Sequence, residues 1–231
     1  MEHLRVVRKL SAVLFFIGIG SSANAQHCGS FLLLQNNKTI TLDLYNKRGL
    51  ANGKIVYKTS SRNIRGNTIT ATIQTRLLDK DGKLINHGTS KVKCANGTIM
   101  TDMNLFLPQQ QIEQFNQVTA KVKEGSLEYP ANINPGSELK DGSFMMEMDN
   151  NGIKQTLKMQ IFNRKAKGVE KITTKAGSWN CVIINYQVKL NIQTGPIDIP
   201  LNYEVTEWFA PEFGIIKTVS EAGTTEIAAI Q

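Results

Sequence analysis

Eleven consecutive residues decide the fold class: Val182-Ile183-Ile184-Asn185-Tyr186-Gln187-Val188-Lys189-Leu190-Asn191-Ile192. Apolar side chains occupy every second position, and from Asn185 onward each position between them is polar. Successive side chains of a β-strand point to opposite faces of the sheet. The stretch therefore predicts a strand with one face on a core and the other in water.

The same alternation recurs along the chain, in residues 39–45, 69–77, 157–161 and 201–205. Turn-forming Asn, Asp and Gly residues separate such segments, at Asn52-Gly53, Asp79 to Gly82, Ala95 to Gly97, Asp141-Gly142 and Asn150 to Gly152. Sequential hairpins of this kind favour antiparallel pairing. We predict an all-β, mainly antiparallel fold, either a half-open β-barrel or a sandwich, with roughly ten strands.

Helical periodicity is convincing in one place, between Leu107 and Phe115. Pro108 suits the first position of a helix, and Ile112 and Phe115 share one face. We expect residues 26–231 to form a single antiparallel β domain, which this short helix can divide into two halves at a seam near residues 105–136.

The first 25 residues have the pattern of a secretory signal peptide. Arg5, Arg8 and Lys9 precede an uncharged apolar run from Leu10 to Ile19, and Ala23-Asn24-Ala25 provides small residues at a cleavage site. The apolar run is too short to span a bilayer, and no longer one follows. We expect cleavage between Ala25 and Gln26 and a periplasmic or secreted protein without a transmembrane segment.

Removal of this segment leaves 206 residues with 24 basic and 18 acidic side chains, a formal charge of +6. The densest basic cluster, Arg164-Lys165-Ala166-Lys167, lies between Asn163 and Gly168, and we interpret it as a solvated turn. Nucleic-acid binding needs a concentrated basic face with aromatic residues for stacking. Because the other basic residues are dispersed, we expect no nucleic-acid partner.

Three cysteines remain after cleavage, Cys28, Cys94 and Cys181, in a compartment that permits disulfides. An odd number allows at most one intramolecular bridge and leaves one thiol. We prefer Cys28–Cys94, which would tether the N-terminus to a strand end, and the other pairings stay open.

Motifs for catalysis or metal binding are missing from the sequence. Only His27 and His87 follow the cleavage site, and there is neither a CxxC pair nor an HExxH motif. Gly177-Ser178-Trp179 lacks the second glycine of a nucleophile elbow, and Cys181 has few histidines as partners. Glu204 and Glu207 have opposite parity on a strand, which separates them onto opposite faces. We therefore expect no enzyme activity, no metal and no cofactor.

Four aromatic residues lie at two turns that are candidates for an apolar ligand site. Trp179 follows Ala176-Gly177-Ser178, and Trp208, Phe209 and Phe213 flank the Ala210-Pro211 break. These rings can form the rim of an apolar pocket. The alternative interpretation is that both turns are hairpin corners whose aromatic rings cover the core.

The order of these motifs resembles a family of uncharacterised envelope proteins of Bacteroidota, a domain of unknown function labelled TapB-like in places. The resemblance rests on Ala176-Gly177-Ser178-Trp179-Asn180-Cys181, then Glu207-Trp208-Phe209-Ala210 with Gly214-Ile215-Ile216-Lys217, and on Cys28, Val92-Lys93-Cys94 and Asp102-Met103 before a Leu-Pro helix. The family often has Phe where this chain has Trp179. The resemblance implies an exported, all-β protein, comparable in fold to the half-barrel carriers that hold acyl chains in an apolar concavity.

Two functions follow as hypotheses. The first is a non-enzymatic envelope protein that binds an apolar, lipid-like ligand or a hydrophobic segment of a partner in a half-barrel. The methionine-rich strand Phe144–Met148 supports it, because methionine adapts to varied apolar surfaces, although a plain core also explains these residues. The alternative is a structural or assembly factor of the envelope that has no small-molecule ligand and acts through its surface or its sheet edges.

Overall fold

A single antiparallel sheet dominates the molecule. The structure, a computed structural model, describes residues 28–107, 119–123, 125–150 and 152–231 of the 231-residue chain. The predicted signal peptide, its cleavage site and His27 lie outside these residues, as does the predicted helix apart from Leu107. The strands are β1 Thr39–Tyr45, β2 Ala51–Arg65, β3 Thr68–Leu78, β4 Leu84–Ala95, β5 Thr98–Asp102, β6 Thr119–Lys123, β7 Ser126–Tyr129, β8 Gly142–Asn150, β9 Ile153–Thr174, β10 Gly177–Thr194, β11 Ile197–Ala210, β12 Gly214–Ser220 and β13 Gly223–Ile230.

The sheet curls into a nearly closed barrel. Its thirteen strands follow the order β6-β8-β9-β10-β11-β12-β13-β1-β2-β3-β4-β5-β7. The prediction of an antiparallel all-β barrel is confirmed, with more strands than expected because short strands such as β5 and β7 carry too few residues to show a period. The predicted seam near residues 105–136 contains β6 and β7, which form the two ends of this order.

Strands β6 and β7 close the barrel, because they run one after the other along the same side of β8. Lys123 at the end of β6 pairs with Met145, and two residues later a Cβ on Gly125 would collide with the Ser143 carbonyl oxygen. Farther along β7, the Glu128 carboxylate lies 2.8 Å from Lys140 Nζ. The hydrogen bonds of β6 go to β8 and those of β7 go to β5, so the two ends of the sheet meet here. We call the contact of β7 with residues 140–143 the closure line.

The longest alternation in the sequence becomes β10, and its inward series is buried as predicted. Ile184, Val188 and Leu190 are at most 3 % exposed and belong to the main core, which fills the barrel. Phe144, Met146 and Met148 of the methionine-rich strand are buried in the same core, as its plain interpretation predicts. A smaller second cluster packs around Leu42, Cys181, Ile216 and Ile227.

The helices in the described part of the chain are two short 3-10 helices. Leu32–Leu34 and Met103–Phe106 form 3-10 helices, and the Asp102 side chain accepts a hydrogen bond from the Asn104 N–H at 3.0 Å to begin the second.

Two of the predicted turns are wrong, because Gly53 lies within β2 and Gly142 begins β8. Gly53 is an internal residue of β2 and not part of a hairpin turn. A φ of +147° and the nearby Leu78 carbonyl require glycine there. No helix among the described residues is long and apolar enough to cross a membrane.

Candidate functional site

An apolar cavity of about 230 Å³ lies inside the barrel. Residues from strands on opposite sides of the barrel line it, together with the ends of the β1–β2 and β12–β13 hairpins. The lining includes Leu33, Ile40, Leu42, Leu44, Tyr45, Ile55, Tyr57, Leu105, Phe106, Leu107, Ile161, Tyr186, Val188, Tyr203, Val205, Phe213, Ile215, Gly223 and Ile227. Aliphatic and aromatic groups make up most of this wall, which suits an apolar guest.

Glycine 223 allows the β12–β13 hairpin to close against β1 at the cavity. It has a φ of +137°, and a Cβ there would collide with the Tyr45 carbonyl oxygen. Both residues line the cavity. A side chain at this position would therefore displace part of the cavity wall.

A buried polar cluster lies beside the apolar lining. The Glu207 side chain is fully buried, and its Oε2 accepts hydrogen bonds from the Tyr129 hydroxyl at 3.2 Å and the Tyr186 hydroxyl at 3.3 Å. The Arg164 guanidinium lies 4.8 Å from the centre of the Tyr129 ring. Tyr186 also lines the cavity, so the cluster and the cavity share a side chain. We call Tyr129, Arg164, Tyr186 and Glu207 the polar cluster.

Arg164 also joins the two sides of the closure line. Its Nη1 donates to the Glu128 carbonyl at 3.0 Å and to the Lys140 carbonyl at 2.7 Å. The side chain is 1 % exposed, so the interpretation of Arg164–Lys167 as a solvated turn is wrong. These residues lie in the middle of β9.

A bulge explains why this arginine points inward. Asn163 has a φ of +56°, and Asn163 and Arg164 together oppose the single residue Tyr186 on β10. An extra residue on one strand exchanges the faces of the residues that follow it, here as far as Ala166, after which the β9–β10 register shifts again. Before the bulge Met159 and Ile161 are buried, and after it Arg164 and Ala166 are buried.

Burial determines the proton affinities of the polar cluster. It raises the pKa of Glu207 to about 7, although the Arg164 charge and the two tyrosine hydrogen bonds act in the opposite direction. Burial, supported by the negative charge of Glu207, also raises the pKa of Tyr129 and Tyr186 well above the usual range. Both tyrosines therefore stay neutral donors, and the carboxyl group of Glu207 can change its charge near neutral pH.

The four predicted rim residues occupy different surroundings. Phe213 lines the cavity, and its ring lies 5.2 Å from that of Trp179, which is outside the lining. Phe209 is buried in the core and stacks on Tyr129 at 4.5 Å. Trp208 lies on the other face of β11, where its Nε1 donates to Glu170 Oε2 at 2.7 Å. The structure thus brings Trp179 and Phe213 together and directs Trp208 away from the cavity.

Parity separates the two glutamates as predicted, since Glu207 is buried and Glu204 is exposed. The inward series of β11 reads Tyr203, Val205, Glu207 and Phe209. One carboxylate in an otherwise apolar series is the signal in the sequence that points to the polar cluster. For Arg164 there was no such signal, because a bulge depends on pairing with the neighbouring strand.

The cysteines and the remaining histidine lie apart. Cys28 and Cys94 form a disulfide with an S–S distance of 2.02 Å, which confirms the preferred pairing. Cys181 is buried and unpaired, and burial raises the pKa of its thiol to about 11. His87 is exposed on β4, which is not a neighbour of the β10 strand that carries Cys181. Among the described residues, no group of three His, Cys, Asp or Glu side chains could hold a metal ion.

A second depression, of about 950 Å³, lies beside the bulge in β9. Its lining includes side chains of both charges, Glu138, Lys140, Lys165, Lys167 and Glu204. Glu204, Lys140 and Lys165 are exposed, so water solvates these charges. The buried polar side chains of this depression are Arg164 and Tyr186, which also belong to the polar cluster. We therefore regard the apolar cavity with the polar cluster as the candidate site.

Comparisons with solved structures reveal the same fold elsewhere. An exported protein of Bacteroides fragilis, described as having a YmcC-like fold, aligns with a TM-score of 0.71 and 21 % identity, over 88 % of this chain and 100 % of that one. A protein of Parabacteroides distasonis described as a lipoprotein aligns with a TM-score of 0.73 and 17 % identity, over 88 % and 98 % of the two chains. No curated protein matches the sequence. A family model described as DUF3108-like matches residues 35–222, most of the chain, and the protein therefore belongs to the DUF3108-like family.

Proposed function

We propose that this protein is an exported, non-enzymatic protein of the cell envelope that binds the apolar chain of a lipid-like ligand inside its barrel. The proposal includes a periplasmic or secreted location and membership of the TapB-like envelope proteins of Bacteroidota. The apolar cavity of about 230 Å³ is the observation that carries it. Two proteins of the same fold are described as exported and as a lipoprotein, which supports the location.

The volume of the cavity limits the ligand. An engineered apolar cavity of about 150 Å³ binds benzene, and sites for drug-sized molecules begin at about 300 Å³. At about 230 Å³ the cavity suits one acyl chain or part of it. We infer a single-chain guest, because two acyl chains would need a larger space.

An exposed apolar stripe extends the cavity wall toward solvent. Tyr203 lines the cavity, and Leu201, Ile199 and Ile197 continue the same face of β11 at 38 %, 50 % and 59 % exposure. We call Ile197, Ile199 and Leu201 the β11 stripe. Contiguous exposed apolar side chains mark binding surfaces more often than single ones do. The stripe can hold the part of an apolar chain that extends beyond the cavity.

The absence of enzyme activity is part of the proposal. The Cys181 thiol is a poor nucleophile because burial raises its pKa to about 11, far from the thiolate form that attacks. His87 is exposed on another part of the sheet, where it cannot serve that thiol as a base. The one buried carboxylate in the site, Glu207, is engaged by two tyrosine hydroxyls.

Filling the cavity tests the proposal. We expect the mature chain to bind a fluorescent polyene fatty acid, and Ile55→Trp to weaken this binding about ten-fold or more, because the indole would occupy the cavity. Ile64→Trp is the matched control, since Ile64 lies on the same strand, is exposed and is not part of the lining. Failure of the unmodified protein to bind the probe, or equal binding by Ile55→Trp, would contradict the proposal.

The free edge of β11 favours a second candidate, an assembly factor for the envelope. Strand β12 pairs only with Val205–Ala210, so within the described part of the chain residues 197–204 have β10 as their sole partner. An extended segment of another envelope protein can add to such an edge as a further strand. Native mass spectrometry of the protein from its own envelope separates the two candidates, because a lipid-sized mass supports the carrier and a bound polypeptide with no lipid supports the assembly factor.

A further inference from the structure

We propose that the hydroxyl groups of Tyr57 and Tyr203 are the hydrogen-bond donors of the apolar cavity, and that its ligand is an uncharged single-chain acyl ester. The inference deepens the proposed function and rests on it, because the hydrocarbon chain of that ester would fill the same cavity. It adds the polar group that the ligand carries and the two side chains that recognise this group.

Both tyrosines belong to the wall of the cavity and point into the barrel. Tyr57 lies on β2 and Tyr203 on β11, two strands that β12, β13 and β1 separate in the sheet. Tyr57 pairs with Ile40, which also lines the cavity. Tyr203 pairs in the same way with Val188. Opposed residues on neighbouring strands share a face of the sheet, so both tyrosine rings lie on the inward face, where they pack against the main core.

These two hydroxyls have no hydrogen-bond partner among the described residues, unlike the other tyrosines of the cavity wall. Tyr186 donates to Glu207, and Tyr45 donates to Asp43. For the two free hydroxyls, desolvation is the sole influence on the pKa, with no contribution from a hydrogen bond. Neither is among the buried polar atoms that lack both a partner and accessible surface, so each can be reached from the cavity. Because a buried tyrosine hydroxyl usually has a partner, two free ones in one cavity point to a ligand with polar atoms.

The wall of the cavity favours an uncharged ligand. The described residues that line it include no Asp, Glu, Lys, Arg or His, and their polar side chains are hydroxyls and one carboxamide. Among these, the Thr218 and Thr225 hydroxyls already bond to each other at 2.7 Å. A carboxylate or an ammonium group inside such a wall would lose its hydration without gaining an ion of opposite charge.

The free hydroxyls also favour an ester over an alcohol. Burial raises the pKa of Tyr203 to about 12 and the pKa of Tyr57 above its usual range, so both stay protonated donors at neutral pH. An ester has acceptor oxygens and no donor, whereas an alcohol would bring a further hydrogen that needs an acceptor in the apolar wall. Water can also accept from the two hydroxyls, so the test must separate water from a ligand.

Three compounds with similar hydrocarbon chains test the inference at neutral pH: methyl octanoate, octanoate and nonane. We expect methyl octanoate to displace the polyene probe from the mature chain at a concentration about ten-fold lower than octanoate. The double variant Tyr57→Phe, Tyr203→Phe keeps both rings and removes only the hydroxyls. It should bind methyl octanoate about five-fold more weakly and change the affinity for nonane by less than about two-fold. Nonane is the matched control, because it fills the cavity without an acceptor.

Each outcome bears on a different part of the inference. Octanoate that binds as tightly as the ester would overturn the assignment to an uncharged ligand. Unchanged ester affinity in the double variant would overturn the role of the hydroxyls and leave the carrier function in place, with water as their partner. Equal losses for the ester and nonane would also overturn this role, since they would reflect a general change of the cavity. If neither the probe nor any of the three compounds binds the unmodified protein, the proposed function fails and the inference with it. A loss confined to the ester is the expected result.

Discussion

The charge of Glu207 should make the stability of the barrel depend on pH in one direction. In the unfolded chain a glutamate ionises near pH 4.3, whereas in the folded protein burial raises the pKa of Glu207 to about 7. Between these values the folded protein holds a proton that the unfolded chain has lost. Raising the pH through this window therefore favours unfolding. The contribution of Glu207 to stability is fully present below about pH 4 and is lost by about pH 8.

The expected size follows from the difference between the two pKa values. At about 1.4 kcal/mol for each pH unit, the loss between pH 4 and pH 8 is roughly 3 kcal/mol. Glutamine at position 207 keeps the shape and an acceptor for the two tyrosine hydroxyls but has no charge to gain. The variant therefore lacks this loss. The attraction between Arg164 and the ionised Glu207 is already contained in the pKa of about 7, so its loss in the variant needs no separate correction.

Urea unfolding of the mature chain and of Glu207→Gln, at several pH values between about 4 and 8, measures the difference. We expect the free energy of unfolding of Glu207→Gln relative to the unmodified protein to rise by roughly 3 kcal/mol across this range. Glu204→Gln removes the same chemical group from the exposed face, so a trend confined to Glu207→Gln is due to burial. A difference that is constant with pH would refute the assignment of a raised pKa to Glu207.

Three further substitutions test the architecture. Arg164→Leu removes the bonds to two carbonyls across the closure line and should lower the free energy of unfolding by about 3 kcal/mol or more in chemical denaturation, and a change within about 0.5 kcal/mol would contradict this role. Cys94→Ser removes the bridge to Cys28 and should lower the free energy of unfolding by about 4 kcal/mol relative to the oxidised unmodified protein. The reduced unmodified protein is the control and should show a similar loss. Gly125→Ala places a Cβ against the Ser143 carbonyl and should lower the melting temperature by several degrees, whereas unchanged thermal unfolding would show that β7 can move away.

Alternation predicted the fold well because it depends on local parity. The inward series of β10 and the opposite faces of Glu204 and Glu207 follow from counting residues along a strand that has a regular register. Trp208 shows the limit of reading motifs instead of parity. An aromatic pair cannot have both rings on one face of a strand, so Phe209 enters the core and Trp208 contacts Glu170 on the outside.

The arginine of the candidate site could not be predicted from the sequence. Counting from Ile161 places Arg164 on the outer face, and only the extra residue at Asn163 brings it inside. Whether a strand bulges depends on its pairing with β10, which one strand's sequence does not contain. The same holds for Tyr129, whose short strand shows no period, and for the cavity, which forms between strands distant in the chain.

The wall of the cavity is not made of sheet alone, and this affects how its size can change. Leu105, Phe106 and Leu107 line the cavity and belong to a 3-10 turn and the residue after it. Each strand of the wall has two neighbours in the sheet, and apart from residues 197–204 of β11, widening the barrel through these strands would break the ladder. A displacement of these three residues leaves every strand pair intact. The strands thus fix the shape of the cavity, and segments outside the ladder, this turn among them, can change its volume.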